Sequence, residues 1–139
     1  MSEENSVDRY IHSIMLEMLN VQQKSKAFIE FITKNGTLSQ NHLMLMIELK
    51  LLESMRITEI SERFFVTAGA ATSMCDKLEE QGLICRIRTK EDRRVVLVTL
   101  TQKGEDKIND LFKSFPKEKL IQIENVFKEV NALMSSIIE

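Results

Sequence analysis

The feature that most constrains this chain is a change of hydrophobic period within residues 67–104, TAGAATSMCDKLEEQGLICRIRTKEDRRVVLVTLTQKG. In its first half Ala71, Met74, Cys75 and Leu78 recur at the three- and four-residue spacing of one helix face. Thr67 offers an N-cap oxygen, and Gly82 stands where a left-handed residue stops a helix. The period then shortens: LICRIR and RVVLVTL flank the charged turn TKED, which predicts a hairpin. Just upstream, RITEISERF predicts a two-turn helix capped by Thr58, with Ile57, Ile60 and Phe64 facing inward and a break at Phe65 and Val66. Two short helices joined tightly and followed by a hairpin describe a winged helix-turn-helix, in which the hairpin is the wing.

The flanks are helical. Residues 6–34 carry Val7, Ile11, Ile14, Met18 and Val21, then Phe28, Phe31 and Ile32, at helical spacing, and the pattern breaks at Asn35 and Gly36. Ser39 is a natural N-cap for a second helix reaching about Leu52, with Leu38 and Leu43 spaced as a hydrophobic staple. Thr101 caps a further helix, which Pro116 interrupts or restarts. In the last segment Leu120, Ile123, Phe127, Val130, Met134 and Ile137 alternate three and four apart, the narrow seam of a helix that pairs with another. The expected fold is therefore mainly α with a small β-hairpin wing. The 139 residues are read as one domain, with 37–104 as the winged helix-turn-helix and 6–34 and 105–139 as dimerisation helices.

Composition narrows the function. Hydrophobic residues make up 43% and charged residues 29%, the balance of a folded domain and not of a disordered chain. No apolar run approaches the ~20 residues of a membrane span. The acidic start MSEENSVDR is unlike a secretory signal, and two cysteines form no disulfide pattern, so a cytoplasmic location is expected. The only close carboxylate pairs, Glu79-Glu80 and Glu91-Asp92, do not converge, and no phosphate loop or nucleophile motif is present, which excludes an enzyme.

The net charge of −2 argues against nucleic acid until its distribution is considered. Residues 67–81 carry Lys77 against Asp76, Glu79 and Glu80, a net of −2. Residues 86–103 carry Arg86, Arg88, Lys90, Arg93, Arg94 and Lys103 against Glu91 and Asp92, a net of +4. The basic charge is concentrated in the hairpin, where an Arg at the tip can enter a DNA minor groove. One or both of Arg93 and Arg94 could instead pair with Asp92 or Asp76 to hold the wing. On the helix before it, Gly69, Thr72, Ser73 and Asp76 form a second face of mostly small residues, opposite the apolar one. That face suits close approach to a major groove, and it equally suits plain solvation. Gly69 favours close approach, because Gly inside a helix costs about 1 kcal/mol relative to Ala.

The segment DKLEEQGLICRIRTKEDRRVVLVTLTQKG, residues 76–104, resembles the signature of MarR-type transcriptional regulators. The family's parts stand in order: Leu78, Glu79, Gly82 and Leu83 at the end of the recognition helix; Arg86; Asp92, Arg93 and Arg94 in the wing; and Leu100, Thr101 and Gly104 after it. The resemblance implies a homodimer held by its terminal helices, including Val7, Ile11 and Ile14 and the seam of the last helix. It implies double-stranded DNA with a pseudo-palindromic operator as partner, repression, and release by a small apolar or phenolic ligand or, in some members, by oxidation.

Carried over by position, Thr67, Ala68, Gly69, Ala70, Thr72 and Ser73 would contact the major groove, Arg94 with Arg93 the minor groove, and Asp92 would orient the wing. From the charge distribution, Lys77, Arg86, Arg88 and Lys90 are added to the expected DNA contacts, and Asp76 to Asp92 as a residue that orients the wing. The cation such helices often carry near the position of Ser73 is missing, which shifts affinity toward the wing and phosphate contacts.

For sensing, Cys75 on the apolar stripe reads as an inert thiol, with a redox-responsive regulator as the alternative. Cys85, at the start of the wing, is expected to be more exposed. Peroxide-sensing members typically use a cysteine in the first helix, where this chain has none. His12 and His42 show no metal-ligand spacing, so neither metal nor cofactor is expected. Met15, Met18, Met44, Met46 and Met55 read as core, or as the lining of an adaptable apolar pocket. A winged helix that binds protein in place of DNA is the competing function.

Overall fold

The structure is a computed structural model and describes residues 3–34, 36 and 38–139. It divides into two units, one ending at Gln40 and one starting at Asn41. The first holds α1 (Glu3–Thr33), along which Val7, Ile11, Ile14, Met18 and Val21 are all exposed. Near its end Thr33 Oγ1 donates to Ile29 O at 2.9 Å. Of the expected break, Asn35 lies outside the described residues, as does Thr37; the Gly36 N–H donates to Thr33 O at 3.0 Å.

The second unit takes in α2 (Gln40–Leu52) from its second residue onward, then β1 (Ser54–Met55), α3 (Ile57–Phe64), α4 (Ala68–Glu80), β2 (Ile84–Arg88), β3 (Val96–Leu100), α5 (Gln102–Lys113) and α6 (Lys117–Ile138). The helix-turn-helix is α3 and α4. Its apolar stripes meet in a core that includes Leu45, Met46 and Leu49 of α2, Ile60 of α3, Ala71, Cys75 and Leu78 of α4, and Leu83, Ile84 and Val98 of the wing and its approach.

The wing is larger than a hairpin. β3 is the middle strand of a three-stranded antiparallel sheet, with β2 on one side and β1 on the other. Ile84 pairs with Leu100 and Arg88 with Val96; Ser54 pairs with Thr99 and Met55 with Val98. Two residues are too few to display a strand's alternation, and β1 exists because Met55 and Val98 are buried together against the helices. Its presence also corrects the cap of α3. Arg56 leaves β1 in extended backbone and takes the cap position, its N–H donating to Glu59 Oε1 at 3.1 Å, so Thr58 falls inside the helix.

The other boundaries follow local chemistry. Thr67 Oγ1 accepts from the Ala70 N–H and Thr101 Oγ1 from the Gly104 N–H, each at 3.0 Å. Gly82 has φ +75°, the left-handed stop. Gly104 is needed for a different reason: a Cβ there would sit 2.1 Å from Leu83 O. The first turn of α5 rests directly on that backbone, and the Thr101 hydroxyl also donates to Gly82 O at 2.6 Å. The base of the wing is thereby joined to both helices that flank it.

In α6 no residue is fully buried. Leu120 and Ile123 are half-buried, whereas Phe127, Val130, Met134 and Ile137 are exposed.

Candidate nucleic-acid interface

The two faces of α4 separate cleanly. Ala71, Met74, Cys75 and Leu78 are buried, while Thr67, Ala68, Gly69, Ala70, Thr72, Ser73, Asp76 and Lys77 are exposed. A Cβ on Gly69 would meet nothing nearer than Thr67 Oγ1 at 3.9 Å, so the chain's own packing does not demand glycine there.

Arg86, on β2, turns back toward α4. Its Nη2 donates to Asp76 Oδ1 at 2.6 Å and to Thr72 O at 3.4 Å, and its Nη1 to Glu79 Oε1 at 3.3 Å. The Asp76 hydrogen bond is the main cause that holds this guanidinium even more firmly charged than usual. Asp76 therefore braces the base of the wing and not its tip.

The tip is braced by its own residues. Arg88 Nη1 donates to Arg93 O at 2.8 Å, and Thr89 Oγ1 to Asp92 O at 2.6 Å. Asp92 Oδ1 accepts the backbone N–H of Arg94 at 3.0 Å and its Nε at 3.1 Å, and Oδ2 accepts Nη2 at 3.2 Å. The Arg94 side chain, helped by its backbone N–H, lowers the Asp92 carboxyl below its ordinary value. Only one edge of the Arg94 guanidinium is engaged in this fork. The side chain is 91% exposed, so its outer N–H groups can still reach an acceptor. Lys90 and Arg93 are exposed beside it. Arg56, delivered by β1, is close enough to add to the lowering of Asp92, and it joins the basic surface with no signal in the sequence.

The thiols are unlike one another. Cys75 is fully buried, and burial pushes its thiol up against the opposing pull of Arg86. Cys85 is half-buried, its Sγ 3.3 Å from Thr99 Oγ1. Among the described residues no group of three or more His, Cys, Asp or Glu could hold a metal ion. His42, half-buried on α2, is lowered by burial first and by Lys77 second.

This exposed small-residue helix and its basic wing coincide with a known pattern. The MarR family model matches residues 38–96. The HTH-type transcriptional repressor MdtR of Bacillus subtilis (strain 168) is 33% identical over 107 residues, which cover 76% of this chain and 68% of the repressor. The chain belongs to the MarR family. Like its MarR relatives it is a transcriptional regulator and not an enzyme. Two solved MarR-family structures share its winged-helix fold. The transcriptional regulator BldR from Sulfolobus solfataricus has a TM-score of 0.62 at 26% identity, covering 94% of this chain and 97% of that one. A mutant MarR from E. coli, complexed with operator DNA, has a TM-score of 0.62 at 20% identity, covering 87% and 95%.

Proposed function

We propose that this MarR-family chain is a homodimeric repressor that binds a pseudo-palindromic operator and leaves it when a small apolar or phenolic ligand binds. The observation that carries the DNA-binding part is the pairing of an exposed α4 face of mostly small residues with a basic wing whose tip is already braced by Asp92. Small side chains let α4 approach base edges, while Arg93, Arg94, Lys90 and Arg88 meet phosphates or the minor groove. Residues 37–104 form the DNA-binding region in this reading. MdtR is named a repressor, and the E. coli MarR structure contains operator DNA, which support the same role here.

The apolar residues left exposed on α1 and α6 supply the dimer contacts: Val7, Ile11, Ile14, Phe127, Val130, Met134 and Ile137, continued by Leu120 and Ile123. Apolar side chains left in water along a helix in this number mark an association face on each of the two helices. The protein acts in the cytoplasm; no helix among the described residues is long and apolar enough to cross a membrane. The buried Cys75 favours ligand release over oxidation as the switch.

The test is fluorescence anisotropy against duplexes selected from a randomised pool, titrated at two salt concentrations. An inverted-repeat consensus with steeply salt-dependent affinity is expected. Absence of duplex binding at low salt, with specific capture of a protein partner, would establish the interaction-module reading in its place.

A further inference from the structure

We propose that Phe65 is a specificity-determining side chain that reads thymine methyl groups beside the recognition helix; this rests on the DNA-binding reading above. α3 and α4 end in the same backbone motif. After α4, the Gly82 N–H donates to Glu79 O at 2.9 Å and the Leu83 N–H to Leu78 O at 3.0 Å, with Gly82 left-handed. After α3, the Phe65 N–H donates to Glu62 O at 3.4 Å and the Val66 N–H to Ser61 O at 3.0 Å, with Phe65 at φ 53°. Glycine is the residue this motif favours, and a bulky aromatic in left-handed backbone is strained.

The ring gains nothing from the fold in return. Phe65 is 95% exposed, the most uncovered large hydrophobic residue described. Lys34 and Glu53 are also left-handed, but their side chains are at home in water. A strained and uncovered apolar residue is a pointer to a contact made outside the chain.

Its position selects the contact. Phe65 lies two residues before Thr67, the cap of α4. In helix-turn-helix proteins the N-terminal end of the recognition helix meets the base edges. The thymine methyl is the apolar feature of the major groove, and Phe is among the side chains that contact it. Residues 67–76 contain no Arg or Lys, so methyl contact gives this end of the helix a readout that needs no charge.

The experiment uses the full chain and an operator selected by the wild type. Affinity is measured on that operator and on the same duplex with uracil replacing thymine in the half-sites, for wild type, Phe65→Gly and Phe65→Asn, with melting curves alongside. Gly and Asn both accept left-handed backbone, so neither substitution strains the turn. Wild type is expected to lose about fourfold in affinity per contacted methyl removed. Both variants are expected to bind the thymine operator more weakly, to lose the penalty for uracil, and to melt no lower than wild type.

Wild-type affinity in the variants, or an undiminished uracil penalty, would overturn the role of Phe65 and leave the DNA-binding reading intact. A lower melting temperature in both variants would also overturn it, by assigning the ring to packing. Failure of the wild type to select any duplex would remove both readings together.

Discussion

Arg86 Nη2 lies 2.6 Å from Asp76 Oδ1, so a guanidinium on the first wing strand closes on a carboxylate of the recognition helix. The Arg86 side chain is 26% exposed and that of Asp76 56%, so the pair contributes only about 0.5 kcal/mol to stability. Its effect is directional: it fixes the angle at which the wing leaves α4. Of the arginines expected to contact DNA, Arg86 is directed inward at three α4 acceptors, whereas Arg93 points its side chain into water.

The two arginines should therefore differ in their salt response. Arg93→Ala is expected to lower the slope of log affinity against log salt by about 1, the signature of a lost phosphate contact. Arg86→Ala is expected to weaken binding with the slope unchanged, because the wing shifts while no phosphate contact is lost. Binding titrations across a salt series decide this; equal slope changes in the two variants would mean that Arg86 swings out to the DNA.

Gly104→Ala is expected to destabilise the fold by about 1–3 kcal/mol, since the new methyl must displace the Leu83 backbone and crowd Leu100 Cδ2. Gly69→Ala, whose methyl would make only an ordinary contact with Thr67 Oγ1 at 3.9 Å, is expected to hold or raise stability. Urea titration of both variants checks the contrast, and an equal loss in the two would refute the close approach at Gly104.

His42 sets a pH dependence. Burial and Lys77 lower its pKa in the folded state, so the fold favours the neutral imidazole. The unfolded chain protonates first as pH falls through about 6.5. Stability is thus fully present above that value and declines as pH drops toward the folded-state pKa. His42→Gln should flatten the melting-temperature profile between about pH 7.5 and 5 relative to wild type. Parallel profiles would show that His42 does not titrate differently on folding.

Val130→Glu, which places a charge in the middle of the exposed α6 seam, is expected to break the proposed dimer into monomers while leaving the helix content intact. Sedimentation velocity with circular dichroism measures both. A dimer of wild-type stability would move the association face elsewhere.

The caps at Thr67 and Thr101, the left-handed stop at Gly82, the buried stripe of α4 and the change to strand period after it were all legible in sequence order. Each depends on residues within a few positions of one another, where backbone geometry ties residue type to structure. β1, the inward turn of Arg86, the place of Arg56 beside the wing and the misplaced cap at Thr58 were not. They depend on Met55 meeting Val98 and on Arg86 meeting Asp76, pairs brought together by packing of a core from distant segments. Local spacing could name the basic residues of the wing; which of them faces outward was settled by the acceptors that folding placed around each guanidinium.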